Sequence, residues 1–186
     1  FNGKDLSGWE PMGDPSKSHW VVKDGLLVNE DHGANLKSVR KFDDFQLHFE
    51  VNGPDHANSG FYLRGRYEVQ LEYEPLSANP PERRIGSVYG RIAPEGDLKR
   101  QPGEWETFDI TLVGRRVTVV RNGVTTINNK EIEGITGGAL DAERGPLLGE
   151  DRDDVDVRID ERGFGHVEPS LSQPAREANL HRAGHA

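Results

Sequence analysis

Glu68, Gln70 and Glu72 alternate with Val69 and Leu71 inside the run Asn58-Ser59-Gly60-Phe61-Tyr62-Leu63-Arg64-Gly65-Arg66-Tyr67-Glu68-Val69-Gln70-Leu71-Glu72-Tyr73. Successive side chains of a strand point to opposite faces. One face of this segment therefore carries two carboxylates and an amide, while Tyr67, Val69, Leu71 and Tyr73 cover a core. Two carboxylates can divide acid and base work when their surroundings push their pKa values apart. A nearby arginine such as Arg64 keeps one of them ionised, and a tyrosine such as Tyr62 offers a sugar ring an apolar platform with a polar tip. The chemistry this suits is that of carbohydrates. The same spacing also fits a solvated sheet face with an ordinary Arg–Glu pair.

Parity decides how the two halves of the run can pair. Directly opposed residues share a face, so Phe61 and Leu63 join Val69 and Leu71 in the core only if the connecting loop has an odd length. Arg64-Gly65-Arg66 serves as such a loop, with Gly65 in the left-handed conformation. That register gathers Tyr62, Glu68, Gln70 and Glu72 on one surface, with Arg64 at its rim. The Cα atoms of Glu68 and Glu72 then stand roughly 13 Å apart along the strand. Retaining glycosidases hold their carboxyl groups only about 5–5.5 Å apart, so a conventional pair would require both side chains to lean inward.

Other candidates carry less. His56, just before Asn58, could act as a base or stand as a solvated loop residue. Tyr89 lies in Gly86-Ser87-Val88-Tyr89-Gly90, where glycines permit close approach of a ligand. Trp105 opens a strand-like segment and could stack on a sugar or simply pack. Asp151, Asp153, Asp154 and Asp156 are crowded enough to suggest calcium, but the spacing and glycine of an EF-hand loop are missing. A charged turn is the favoured reading, and no metal or other cofactor is expected. His181 and His185 are four apart, in a segment without other signs of a site. Phosphate-loop, dinucleotide, zincin and nucleophile-elbow motifs are absent.

The elements that must position these residues read as strands. Trp20-Val21-Val22 and Leu26-Leu27-Val28 flank an Asp24-Gly25 turn, and Asn122-Gly123 is a second hairpin signal. Phe45, Leu47, Phe49 and Val51 alternate with polar residues, as do Phe108, Ile110 and Leu112; Val117 and Val119 follow the Gly114-Arg115 turn. Val155, Val157 and Ile159 give a last candidate strand. Many short strands with Gly, Pro and Asn-Gly punctuation predict an all-β sandwich or jelly roll. Ser77 to Arg84 and Ala93 to Pro102 are polar, proline-bearing loops of the kind that frame sites. Residues 1–164 read as the domain, and 165–186 as a weakly ordered extension with a possible short helix over Pro174 to Arg182.

Composition narrows the partners. The chain has 186 residues, 33% of them hydrophobic, and adding its 22 glycines gives about 45%, ordinary for a globular domain. A formal charge of −9 and a pI near 5.3 argue against nucleic acid and anionic lipid, which need clustered Lys and Arg. A neutral small molecule is the default ligand. With no cysteine there is neither a disulfide framework nor a thiolate zinc site. No apolar run approaches the roughly 18 residues of a membrane helix. A start at Phe1 reads as a processed or trimmed product, with any signal peptide or lipid anchor upstream.

The chain resembles the 3-keto-disaccharide hydrolase domain family. Phe1-Asn2-Gly3-Lys4-Asp5-Leu6-Ser7-Gly8-Trp9 looks like that family's opening, and Asn58 to Gly65 followed by Tyr67-Glu68-Val69-Gln70 is similar to its central signature. Trp20 to Gly25, Val88-Tyr89-Gly90, Pro102-Gly103-Glu104-Trp105 and Asn122-Gly123 follow in the family's order, spanning residues 1 to about 148. The resemblance implies a concanavalin A-like jelly roll of two antiparallel sheets, hydrolysis of glycosides already oxidised at C3, and a periplasmic, secreted or lipid-anchored location. It places the signature on Asn58, Ser59, Arg64, Glu68 and Gln70. Glu72 stands where many relatives carry Asp. Glu68 to Glu72 also looks like the Glu-x-Asp-x-Glu strand of laminarinase-type hydrolases, with Gln70 replacing the central Asp, which argues against a retaining pair. After Gly145-Pro146-Leu147 the chain departs from the family pattern.

A C3 ketone acidifies the hydrogen at C2, so a base can remove it, the enolate can expel the C1 oxygen, and water can add to the enone. On this reading Glu68 is the base, Glu72 or His56 the acid, and Arg64 with Asn58 the enolate stabilisers. The competing expectation is a carbohydrate-binding module of the same fold without catalysis.

Overall fold

Period-two patterning builds almost every element of the protein. The computed structural model describes residues 1–31, 33–96, 99 and 101–136, together with the strands at 147–148 and 156–160. The strands in chain order are β1 (Trp9–Pro11), β2 (Trp20–Lys23), β3 (Leu26–Asn29), β4 (Leu36–Ser38), β5 (Phe45–Asn52) and β6 (Asn58–Leu63). They continue as β7 (Tyr67–Glu72), β8 (Glu106–Val113), β9 (Arg116–Arg121), β10 (Val124–Glu131), β11 (Leu147–Leu148) and β12 (Asp156–Asp160). They form a five-stranded sheet ordered β1-β4-β11-β6-β7 and a seven-stranded sheet ordered β10-β9-β8-β5-β12-β3-β2. The strand pairings within them are antiparallel. The described residues thus form the concanavalin A-like jelly roll that the sequence predicts.

The turns follow their residues. Lys23 pairs with Leu26 across Asp24 and Gly25, both at positive φ (51° and 80°), and Arg121 pairs with Val124 across Asn122 and Gly123 (50° and 75°). This is the mirror-image turn whose twist matches that of the strands. β12 lies between β5 and β3 in the middle of its sheet. The boundary expected at 164, the helix expected over 174–182, Asp151, Asp153, Asp154, His181 and His185 lie outside the described residues.

The inward residues of both sheets make one core. Phe49 of β5 stacks on its cross-strand partner Phe108 (centroids 5.0 Å apart) and, across the sandwich, on Phe61 of β6 (4.9 Å). Leu63, Val69, Leu71, Leu112, Val117 and Ile127 fill the space around this stack. One charged pair sits inside: Arg121, 2% exposed, binds the fully buried Glu106 through Nε and the backbone oxygen of Lys99 through Nη2. Tyr73 lies beside them, and burial together with the Glu106 charge pushes its hydroxyl pKa well above the ordinary value. Breaking one half of such a pair costs more than the pair contributes, so Glu106 and Arg121 belong to the fold.

Candidate functional site

The β6–β7 hairpin adopts the odd register that parity demands. Leu63 pairs with Tyr67, Tyr62 with Glu68, Phe61 with Val69, Gly60 with Gln70, and Asn58 with Glu72. Phe61, Leu63, Tyr67, Val69 and Leu71 turn into the core, and Asn58, Gly60, Tyr62, Glu68, Gln70 and Glu72 share the opposite face. The loop carries two left-handed residues rather than one, Arg64 at φ 55° and Gly65 at φ 64°. For a non-glycine residue this conformation is unfavourable by about 1–2 kcal/mol, so something must hold Arg64 there.

Its own side chain does so. Arg64 donates from Nε to the Asp43 backbone oxygen (2.6 Å), from Nη1 to the Gly114 oxygen (2.7 Å) and from Nη2 to Asp44 Oδ1 (2.9 Å). Asp43 and Asp44 precede β5 and Gly114 joins β8 to β9, so the guanidinium clamps the hairpin tip to the other sheet. The guanidinium expected at the rim of the Glu68 face is instead spent on Asp43, Asp44 and Gly114. The left-handed turn residue leaves the strand's alternation, and its side chain goes with it.

Glu68 is fixed at its backbone, where its N–H donates to Thr136 Oγ1 (3.1 Å) and its carbonyl accepts from Tyr89 N–H (3.0 Å). The side chain lies across Gly60. A Cβ on residue 60 would fall 2.3 Å from Glu68 Oε1 and 2.7 Å from its Cγ. Gly60 opposes Gln70, one position toward Glu72 from Tyr62, so Glu68 leans along the face toward Glu72. A conventional pair would need Glu72 to lean inward as well, and Glu72 is instead tied to Asn79.

Glu72 occupies a different setting. It is 6% exposed, its Oε1 accepts from Asn79 Nδ2, and burial first, then the neighbouring Glu74 charge, raises its pKa above the ordinary carboxyl range. Glu74 in turn binds His56, with His56 Nδ1 2.8 Å from Glu74 Oε2. His56 is thus a partner of Glu74, on an exposed loop at φ 68°, rather than a contact of Glu72. Between the carboxylates, Gln70 (4% exposed) donates from Nε2 to Asn58 Oδ1 at 3.0 Å. That bond uses the acceptor side of the Asn58 amide, whose other side carries two N–H donors.

The remaining candidates divide. Tyr62 faces Glu68 directly, as the register requires, and is 5% exposed. Tyr89 runs beside β7, where Gly86, Ser87 and Tyr89 hydrogen-bond the backbone of Gln70 and Glu68, and the Arg83 guanidinium lies 5.6 Å above its ring. Ser59, carried over with the signature, pairs with Leu71 on the core side and is buried. Trp105 stands half-buried in the loop just before β8. Among the described residues no three or more His, Cys, Asp or Glu side chains are grouped as metal ligands would be. Sequence reasoning did not single out Gly60, Glu74 or Asn79. A glycine inside a strand marks close approach of another group, which was the available signal for Gly60. Asn79 lies in a loop recognised as site-framing, but nothing in its spacing points to Glu72.

A jelly roll that displays carboxylates and amides on one face of a β-hairpin has the architecture of carbohydrate-active proteins. Two provisionally assigned glycosyl hydrolases of Parabacteroides distasonis share the fold. One is 29% identical with a TM-score of 0.70 over 86% of this chain and 80% of its own; the other is 20% identical with a TM-score of 0.71 over 86% and 89%. A carbohydrate-binding module, CBM66 from Bacillus subtilis, is similar at TM-score 0.52 and 10% identity over 82% and 91%. A comparison with curated proteins gives no match. Residues 1–158 match the 3-keto-alpha-glucoside-1,2-lyase-like domain, and the chain belongs to that family.

Proposed function

We propose that the domain cleaves 3-keto-α-glucosides by elimination across C1 and C2. The Glu68 carboxylate takes the C2 proton, and its electron pair forms the enolate with the C3 carbonyl, whose oxygen gains negative charge. The enolate collapses to the C1=C2 enone and releases the C1 oxygen, which takes a proton from the Glu72 carboxyl. Water adding across C1=C2 then completes a net hydrolysis. Asn58 Nδ2 supplies the donor for the enolate oxygen in place of Arg64.

The observation that carries this reading is the unequal setting of the two glutamates. Glu72 is buried and held at Oε1 by Asn79, and its pKa is raised, the direction a proton donor needs, while Glu68 is laid over Gly60 toward it. Environments that differ in this way divide acid from base. The family supports the substrate class. Since the fold is shared with a binding module, the chemistry rests on these residues rather than on the architecture.

The test is incubation with 3-keto-trehalose in deuterated water, with a C2-deuterated substrate in parallel. Deuterium entering at C2, a primary isotope effect, and a loss of roughly 10²–10⁴-fold in Glu68→Gln are expected. Cleavage without exchange or isotope effect at C2 would rule out elimination. Tight binding without turnover would instead make the domain a carbohydrate-binding module.

A further inference from the structure

The loop that follows β7 reaches back to Glu72. Asn79 donates from Nδ2 to Glu72 Oε1, and its own backbone oxygen accepts from Arg84 Nε at 2.9 Å. Ala78 N–H donates to the Pro75 oxygen (2.7 Å) before Asn79, and Arg83 N–H to the Pro80 oxygen (2.9 Å) after it, so the loop is braced on both sides of Asn79. Glu72 Oε2 has no hydrogen-bond partner among the described residues. The two oxygens of this buried carboxyl are therefore distinguished by the protein.

We propose that Asn79 is a positioning residue that fixes the proton of Glu72 on Oε2, leaving that oxygen to protonate the departing C1 oxygen. A neutral carboxyl has one oxygen that only accepts and one that carries the hydrogen. An amide N–H held on Oε1 makes Oε1 the acceptor and sends the proton to Oε2. The other groups around Glu72 do not compete for this role. Glu74 is engaged with His56, and cross-strand Asn58 accepts from Gln70. Arg84 supports Asn79 through its backbone, so the amide keeps its position whichever protonation state Glu72 adopts.

The proposal rests on Glu72 being the acid, and the test separates the two. Asn79→Ala is expected to lower kcat about tenfold on 3-keto-trehalose with KM changed less than about twofold, because the lost contact serves proton delivery rather than substrate binding. In carbon-13 titration of the substrate-free protein, with the Glu72 resonance assigned through Glu72→Gln, Asn79→Ala raises the Glu72 pKa because a donor to the charged form is gone. Asn79→Asp raises it further by placing a second carboxylate beside it, and moves the alkaline limb of the rate profile the same way. A folded Asn79→Ala protein with unchanged titration and unchanged kcat overturns the proposal alone. A shifted titration in a domain that turns over no 3-keto-glycoside overturns the assignment of Glu72 as acid, and the positioning role with it.

Discussion

Gly60→Ala separates catalysis from stability at a single atom. The added Cβ would lie 2.3 Å from Glu68 Oε1, and ordinary contact begins at 3.4 Å, so the carboxyl must retreat by about 1 Å. Gly60 is not among the residues at positive φ, so its backbone accepts alanine without strain. An off-rotamer Glu68 costs about 0.5–1.5 kcal/mol, and replacing glycine with alanine at a compatible position returns about 0.4–1 kcal/mol through the unfolded chain. The two nearly cancel, so Tm is expected to move by no more than about 4 °C. Catalysis has no such offset: a 1 Å misplacement of a reacting group costs about 10²-fold. The assay is kcat/KM on 3-keto-trehalose beside a thermal melt, for Gly60→Ala, Glu68→Gln and the double variant. A 10²-fold loss in Gly60→Ala, with no further loss when it is added to Glu68→Gln, is the expected pattern. Wild-type kcat/KM in a folded Gly60→Ala protein would refute the role of Glu68.

Arg64→Ala should act on stability rather than chemistry: loss of the contacts to Asp43, Asp44 and Gly114 lowers unfolding free energy by about 1–3 kcal/mol in urea titration, with kcat at low temperature changed less than about threefold. Glu72 carries a penalty with a definite sign. Burial and the Glu74 charge raise its folded pKa above that of a free glutamate, so wild-type stability falls as pH rises through the raised pKa, because the folded state there holds more protons than the unfolded one. Glu72→Gln should remove that slope in urea melts at pH 4 and pH 7 while abolishing leaving-group protonation. Gln70→Glu should lower kcat about 10²–10³-fold by disturbing the Asn58 donor, measured on the same substrate; retention of full activity would remove Asn58 from the mechanism.

Much of this arrangement is readable from parity alone. Tyr67, Val69 and Leu71 fix which face of β7 is inward, and the odd loop follows because Phe61 and Leu63 must agree with them. The Asp24-Gly25 and Asn122-Gly123 turns are equally legible, because few residues tolerate two successive left-handed positions. What parity does not reach is the side chain that leaves the strand. Arg64 sits one residue past β6 at positive φ, so extrapolating the alternation sends it to the wrong sheet. Ser59 shows the converse: a signature carried over whole ignores alternation, and alternation puts Ser59 inside. Asn79 and Glu74 reach Glu72 through loop geometry, which no period encodes. Glu106 keeps the inward phase of Phe108 and Ile110, yet a carboxylate inside a core becomes intelligible only with Arg121 placed beside it.

Gln70 shows why the resemblance to paired-carboxylate hydrolases stops at the strand. A carboxylate at position 70 would be an acceptor only, and the Asn58 amide would have to turn and give it an N–H. Glutamine reverses that relation. It donates to Asn58 Oδ1, and its own backbone is pinned by Gly86 and Ser87. On the proposed elimination, a further negative charge between Glu68 and Glu72 would also oppose the enolate that removal of a C2 proton creates. An acetal needs its leaving oxygen protonated and an oxocarbenium-like centre stabilised by negative charge. A ketone needs negative charge accommodated by donors instead. On the proposed elimination, an amide in place of a carboxylate at the centre of the strand suits the second requirement rather than the first. The two glutamates can then stay at the ends of the ladder, one leaning over Gly60 and the other tied to Asn79, without forming a retaining pair.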